Sequence, residues 1–117
     1  MHYPSYYSTY LNLPVKIQKI DFFRYVAIYH YGGFYLDLDM NILQCFDKLL
    51  KYSFVFPVDE YIDIRLCKHT RYRPYCDRGQ TFLLGQYAFA AEPKHPFIKE
   101  LIDRIHRNIN KYIKNNK

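Results

Sequence analysis

Serine, glycine and paired cysteine are all scarce in this chain, and each scarcity excludes a chemistry. Three serines (Ser5, Ser8, Ser53) stand in no setting that suggests a Ser-His-Asp nucleophile. Four glycines form neither a GxxxxGK phosphate loop nor a GxGxxG dinucleotide turn. Three cysteines (Cys45, Cys67, Cys76) are an odd number without CxxC spacing. Neither zinc nor a disulfide framework is indicated, so buried or free thiols are the default, with a Cys67–Cys76 bridge left open for a secreted chain. No apolar run approaches the roughly 20 residues of a membrane span. The amino terminus lacks the charged-then-apolar pattern of a signal peptide, and the chain reads as soluble. There are no internal repeats and no low-complexity linker.

What is present is apolar and aromatic. The 117 residues are half hydrophobic and one fifth aromatic, with 14 tyrosines. This supports one small globular domain and excludes disorder. Tyrosine covers apolar surface while keeping a polar tip, so it suits cores, clefts and interfaces alike. The formal charge is +6. Basic residues gather at 65–78 and 104–117, but neither group resembles a nucleic-acid motif, and no nucleic-acid partner is expected. The first group (Arg65, Lys68, Arg71, Arg73, Arg78) reads as a solvated face or, if it binds, as a hold for an anionic acceptor or a diphosphate.

The chain is organised around Tyr31-Gly32-Gly33-Phe34-Tyr35-Leu36-Asp37-Leu38-Asp39. Gly32-Gly33 ends a preceding helix, and Phe34–Leu38 reads as a strand. Strand alternation puts Tyr35, Asp37 and Asp39 on one face and sends Leu36 and Leu38 to the core. Two neighbouring carboxylates repel one another, and a hard divalent cation with oxygen ligands relieves that repulsion. Alone, Asp-x-Asp is common and is usually a solvated strand end or turn. On the carboxyl-terminal side, 46–50 reads as a helical turn, 53–56 as a strand, 59–79 as a loop with one short strand, and 81–91 as a strand or short helix.

Two helices are predicted. Val15–Tyr31 has apolar positions Ile17, Ile20, Phe23, Ala27, Ile28 and Tyr31 at three- and four-residue steps. Pro96–Ile113 carries Ile98, Leu101, Ile102, Ile105, Ile109, Tyr112 and Ile113, with His95 at its start. Residues 1–13 read as an irregular lead-in and 114–117 as a fraying tail. Asp21 and Arg24, three apart on the first helix, share a face; on spacing alone they are a surface ion pair.

Asp21-Phe22-Phe23-Arg24-Tyr25 followed by the 31–39 stretch resembles the sugar-binding region of glycosyltransferases with a DXD motif, and is similar to glycosyltransferase family 32. Ala90-Ala91-Glu92-Pro93-Lys94-His95-Pro96 resembles a segment that these enzymes carry before a helix. The resemblance implies an α/β fold, the central part of a GT-A (Rossmann-like) nucleotide-sugar transferase core over 14–113, with a small sheet flanked by helices. It implies a metal-dependent, retaining hexosyltransferase of the mannosyltransferase type. Such an enzyme moves a sugar from a nucleotide-sugar donor to a glycan, lipid or protein acceptor. Residue by residue, it implies catalytic roles for Asp37 and Asp39, and donor-sugar contacts from Asp21, Arg24, Tyr35 and Asp37. It makes Asp39 a direct ligand of Mn²⁺ or Mg²⁺, with Asp37 reaching the metal through water. Gly32, Gly33 and Gln86 are candidate cleft residues.

The chain departs from the family pattern at Ile20, where the residue before the Asp is usually small. Only a short lead precedes the matching helix, and the closing segment after the last helix is missing. The compartment therefore stays open: cytoplasmic if the chain is complete, the secretory lumen if an upstream anchor precedes it. The competing reading is a truncated, non-catalytic relative that binds carbohydrate or a partner.

Overall fold

A computed structural model describes residues 3–116. The fold is α/β and, among the described residues, has two small antiparallel sheets and four helices: α1 (Pro4–Asn12), α2 (Lys16–Tyr31), α3 (Arg73–Cys76) and α4 (Pro96–Asn115). The main sheet has the order β1 (Gly33–Leu36), β5 (Ala88–Ala91), β2 (Phe54–Val55). Gly33 pairs with Ala91 and Leu36 with Ala88. The second sheet pairs β3 (Val58–Tyr61) with β4 (Phe82–Leu84). Short 3-10 turns lie at Asp47–Leu49 and Leu66–Lys68.

The expected small sheet forms with the two long helices against it, but its strands are Gly33–Leu36 and Phe54–Val55 instead of 34–38 and 53–56. The core joins Phe22, Tyr25, Ile28 and Tyr29 of α2 to Phe89 and Ala91 of β5 and to Ile98 and Ile102 of α4. Both isoleucines are fully buried, each contributing about 1.5–3 kcal/mol. Phe89 is sandwiched by Phe56 at 4.9 Å and Tyr35 at 5.5 Å between ring centroids. At the start of α4, His95 is the N-cap, its side chain accepting from the Phe97 N–H. This fits its reading as a helix-start residue.

Five local expectations are corrected. Residues 4–12 are a helix, not an irregular lead; Pro4 opens it, and Tyr6 and Tyr10 pack on the core. Helix α2 exists as predicted, but of its expected apolar positions only Ile28 is buried and Ala27 half-buried. Ile17, Ile20, Phe23 and Tyr31 are exposed, and Phe22, Arg24, Tyr25, Ile28 and Tyr29 are buried. The strand stops at Leu36, and Asp37–Met40 is a turn closed by the Met40 N–H on the Asp37 carbonyl at 3.1 Å. Leu38 is consequently fully exposed instead of in the core. Cys67 and Cys76 are bridged, with a Cα–Cα separation of 5.9 Å, while Cys45 is free and exposed. Helix α4 runs to Asn115, so most of the expected tail is helical; Lys117 lies outside the described residues.

Candidate active site

Residues from three separate parts of the chain converge where β1 ends. Helix α2 supplies Asp21, Arg24 and Tyr25, the turn after β1 supplies Asp37, and the link between β4 and β5 supplies Gln86. They line an open cleft of about 510 Å³, with Asp59, Gly85 and Tyr87 on its walls.

Arg24 is the hub. Its side chain is only 6% exposed, and the guanidinium pairs with Asp21 at 3.0 Å and Asp37 at 3.4 Å and donates to the Gln86 carbonyl at 2.9 Å. It also lies over the Tyr35 ring, 4.5 Å from the centroid. A planar fork with five N–H donors suits this division between two carboxylates and a carbonyl. Its Nε is buried without an acceptor among the described residues. An unmet buried donor costs about 1–3 kcal/mol, so the arrangement is not optimised for stability alone.

Around Arg24 the bonds form a chain. The Tyr35 hydroxyl donates to Asp37 Oδ1 at 2.7 Å. The Tyr25 hydroxyl donates to Gln86 Oε1 at 2.7 Å, and Gln86 Nε2 donates to Asp21 Oδ2 at 3.4 Å. Burial, with the Asp21 charge adding, pushes the Tyr25 hydroxyl up to about 12. Tyr35 is raised as well, by burial first and then by its bond to Asp37. Both phenols therefore keep their protons and act as donors at neutral pH. The Asp37 backbone N–H donates to the Tyr87 carbonyl at 2.9 Å, which carries the β1–β5 pairing one residue beyond the strand.

The two carboxylates of the Asp-x-Asp pair have different surroundings. Asp37 is half-buried, with both of its side-chain contacts on Oδ1. Asp39 is exposed in the turn and does not line the cleft. Strand alternation is therefore not what relates them. Gly33, with Gly32 before it, lies at the opposite end of β1, roughly 13 Å from Asp37 at ~3.3 Å per residue. Their role is local. Gly32 ends α2 at φ +68, and a Cβ there would stand 2.6 Å from Pro93 Cδ. Of the three candidate cleft residues, only Gln86 lines the cleft.

Tyr25, Asp59, Gly85 and Tyr87 escaped the sequence reading. Tyr25 had a signal, since it directly follows Arg24. The others come into place only through the β3–β4 pairing, which the sequence does not announce.

Among the described residues, no group of three or more His, Cys, Asp or Glu side chains is placed to hold a metal ion. The donor set nevertheless fits a hard cation shared with a ligand, because Mg²⁺ is commonly held by one or two carboxylates plus substrate phosphates. Asp39 and Oδ2 of Asp37 are the oxygens available for that. The cleft itself favours a cation, with three carboxylates (Asp21, Asp37, Asp59) lining it against the single guanidinium of Arg24.

A family described as "Glycosyltransferase sugar-binding region containing DXD motif" matches residues 1–55. Inositol phosphoceramide mannosyltransferase 1 of Schizosaccharomyces pombe is 33% identical over 116 residues, covering 95% of this chain and 30% of that protein. Inositol phosphoceramide mannosyltransferase 2 of the same organism is 27% identical over 111 residues, covering 95% of this chain and 26% of that protein. Mannosyl phosphorylinositol ceramide synthase CSH1 of Saccharomyces cerevisiae is 39% identical over 49 residues, covering 42% of this chain and 13% of that protein. The chain thus spans less than a third of the length of these curated relatives. No solved structure matches it. The motif at 21–39, the family match over 1–55 and these relatives together make the chain similar to the DXD-motif glycosyltransferases of the family 32 kind.

Proposed function

We propose that this chain is the donor-sugar-binding part of a hexosyltransferase, of mannosyltransferase type, that takes a nucleotide sugar and a divalent cation. The observation that carries the reading is the three-element cleft, in which one buried arginine holds two acidic side chains toward the same open space. Asp21 accepts from sugar hydroxyls, and Asp37 takes ribose or sugar hydroxyls through its unengaged oxygen. Arg24 is the positioning residue for both, and Tyr35 fixes the Asp37 rotamer from the strand side. Asp39, and Asp37 through water, are the residues that would hold Mn²⁺ or Mg²⁺. When bound, the cation offsets the negative charge that develops on the departing diphosphate.

The net negative cleft supports this assignment, because a diphosphate brought there without a cation meets repulsion from the surrounding carboxylates. The GT-A classification and retention of anomeric configuration belong to the same proposal and rest on the resemblance. The names of the relatives suggest the acceptor class, a lipid with a phosphoinositol headgroup.

A second reading has its own observation. A chain covering under a third of its relatives could retain the centre of the fold as a carbohydrate- or partner-binding module without turnover. One experiment separates the two. Thermal unfolding is followed with Mn²⁺ and a panel of GDP- and UDP-sugars, for the native chain, Asp37→Asn and Asp39→Asn. Saturation at a hundred times the dissociation constant adds about 2.7 kcal/mol. The transferase reading expects a shift that needs both metal and nucleotide sugar and disappears in Asp39→Asn. A well-folded native chain that shows no such shift would hand the assignment to the module.

A further inference from the structure

The β3–β4 hairpin is an arm with one end in the cleft wall. Near its base Val58 pairs with Leu84, the Gly85 N–H donates to the Pro57 carbonyl at 2.9 Å, and Asp59, Leu84 and Gly85 line the cleft. At its far end Tyr61 pairs with Phe82, and the Ile62 N–H donates to the Thr81 carbonyl at 2.8 Å. Residues 62–81 close that far end, roughly 13 Å from the base at ~3.3 Å per strand residue. This tip has its own internal ties: the Cys67–Cys76 bridge, the turn at Leu66–Lys68, α3, and a buried Tyr72 whose hydroxyl donates to Glu60 Oε1 at 2.7 Å.

The tip combines two kinds of exposed side chain. It has five cations (Arg65, Lys68, Arg71, Arg73, Arg78) against two carboxylates (Asp63, Asp77), a net of +3 and half of the whole chain's formal charge. Asp63 pairs with Arg65. Lys68, Arg71 and Arg73 are exposed and have no carboxylate partner among the described residues. In the same segment Ile64 is 85% exposed, and Tyr61 at the end of β3 is 74% exposed. Water alone favours the cations and disfavours the apolar groups. An acidic peptide would account for the cations but leave Ile64 without a role. A bilayer interface suits both, since apolar and aromatic groups enter the headgroup boundary while Lys and Arg meet anionic headgroups.

We propose that the disulfide-closed tip of the β3–β4 arm docks on a membrane surface carrying anionic lipid, and so holds the cleft beside that surface. The proposal rests on the transferase reading for its purpose, delivery of a lipid headgroup acceptor to the cleft. Its own evidence is the composition and placement of the tip.

The test is flotation of the full chain with phosphatidylcholine vesicles, and with vesicles in which roughly one lipid in five is phosphatidylinositol. Binding is expected to the second and not the first. Lys68→Glu/Arg71→Glu/Arg73→Glu should weaken it by roughly a hundredfold or more, since each basic residue at an anionic surface contributes about fivefold. Ile64→Asp should weaken it further, and binding should fall as salt rises. A charge-matched control, Lys16→Glu/Lys111→Glu/Lys114→Glu, should keep most of the affinity. All these positions are exposed, and an unchanged thermal midpoint checks that each variant folds.

The proposal is overturned if the folded native chain ignores anionic vesicles, or if the control loses as much as the tip variant. It is also overturned if Ile64→Asp has no effect while a soluble acidic peptide displaces the vesicles. The metal-dependent donor shift is measured in the same samples without lipid. Tip-dependent docking without a donor shift rejects the transferase reading alone, and a donor shift without docking rejects this one alone.

Discussion

Two hollows of nearly equal size mark this fold, and they differ in what their walls can do. The cleft around Arg24 measures about 510 Å³, and the groove between α1 and α2 about 530 Å³. The groove is walled by rings and methyls, among them Tyr7, Tyr10, Phe23, Val26 and Tyr31, all from two adjacent helices. The cleft draws its walls from α2, the turn after β1, the β3–β4 sheet and α4. It places opposite charges in contact inside partly dry surroundings. Size therefore does not locate the site. What distinguishes the cleft is convergence of charged side chains that the fold holds at some cost, including the unmet Arg24 Nε.

The sharpest way to break this contrast is to remove the hub. Arg24→Ala leaves Asp21 and Asp37 facing one another without a counter-charge. Losing one partner of a fully buried pair costs about 3–5 kcal/mol, and the remaining exposure of these carboxylates lowers the expectation to about 3 kcal/mol. Urea unfolding should show the midpoint fall with little change in slope, and metal-linked donor binding should be lost. Tyr7→Ala, the corresponding truncation in the groove at a residue 47% exposed, should cost under about 1 kcal/mol and leave donor binding alone. Comparable costs at the two positions would remove the distinction between the hollows.

Gly32 connects the two regions. The last turn of α2 before it carries His30 and Tyr31 into the groove, and the strand after it leads to Asp37. Its φ of +68 with ψ of −172 is a region essentially reserved for glycine. An added Cβ would also meet the Pro93 nitrogen at 2.8 Å, a backbone atom with little freedom to yield. Gly32→Ala should therefore cost about 2 kcal/mol or more, seen as a lower thermal midpoint. Because the strain enters at the root of β1, donor affinity should fall with stability. A variant that unfolds earlier yet binds donor normally would show that the cleft is insulated from the helix end.

How much of this was legible in the sequence depended on charge. Helix α4 announces its faces because Lys99, Asp103, Arg104 and Arg107 mark the outside, and its predicted stripe is buried or half-buried as far as Ile109. Helix α2 is apolar nearly all round, so a three- and four-residue period can be drawn through either face, and the one drawn through Ile17, Ile20 and Phe23 was the exposed one. The buried face includes Arg24, which a hydrophobic pattern rejects by construction; its partners Asp21, Asp37 and the Gln86 carbonyl, the last distant in sequence, make its burial tolerable. The same limit applies to the motif. Alternation through Asp39 does not hold, because the β5 partner strand begins at Ala88 opposite Leu36 and the ladder runs out before Leu38. Tyr25, by contrast, stood beside Arg24 in the motif itself.

The last expected effect tests the groove side. Tyr6, on α1, donates to Asp103 Oδ1 of α4 at 3.0 Å, while Lys99 holds Oδ2 of the same carboxylate at 2.6 Å. The Lys99 bond first, and the Tyr6 bond after it, keep Asp103 below the ordinary carboxylate value of 3.8. A carboxylate lowered in the folded state contributes stability that is present above its unfolded value and lost as pH falls through the folded one. This contribution should therefore disappear on acidification below about pH 4. Tyr6→Phe should cost about 1 kcal/mol at neutral pH and make the acid limb of the stability profile shallower, without changing the donor-dependent shift. If Tyr6→Phe instead weakened donor binding, α1 would be coupled to the cleft through α2. The two hollows would then have to be treated as one mechanical unit, and the buried face of α2, which carries Phe22 toward the groove and Arg24 toward the cleft, would be the element that joins them.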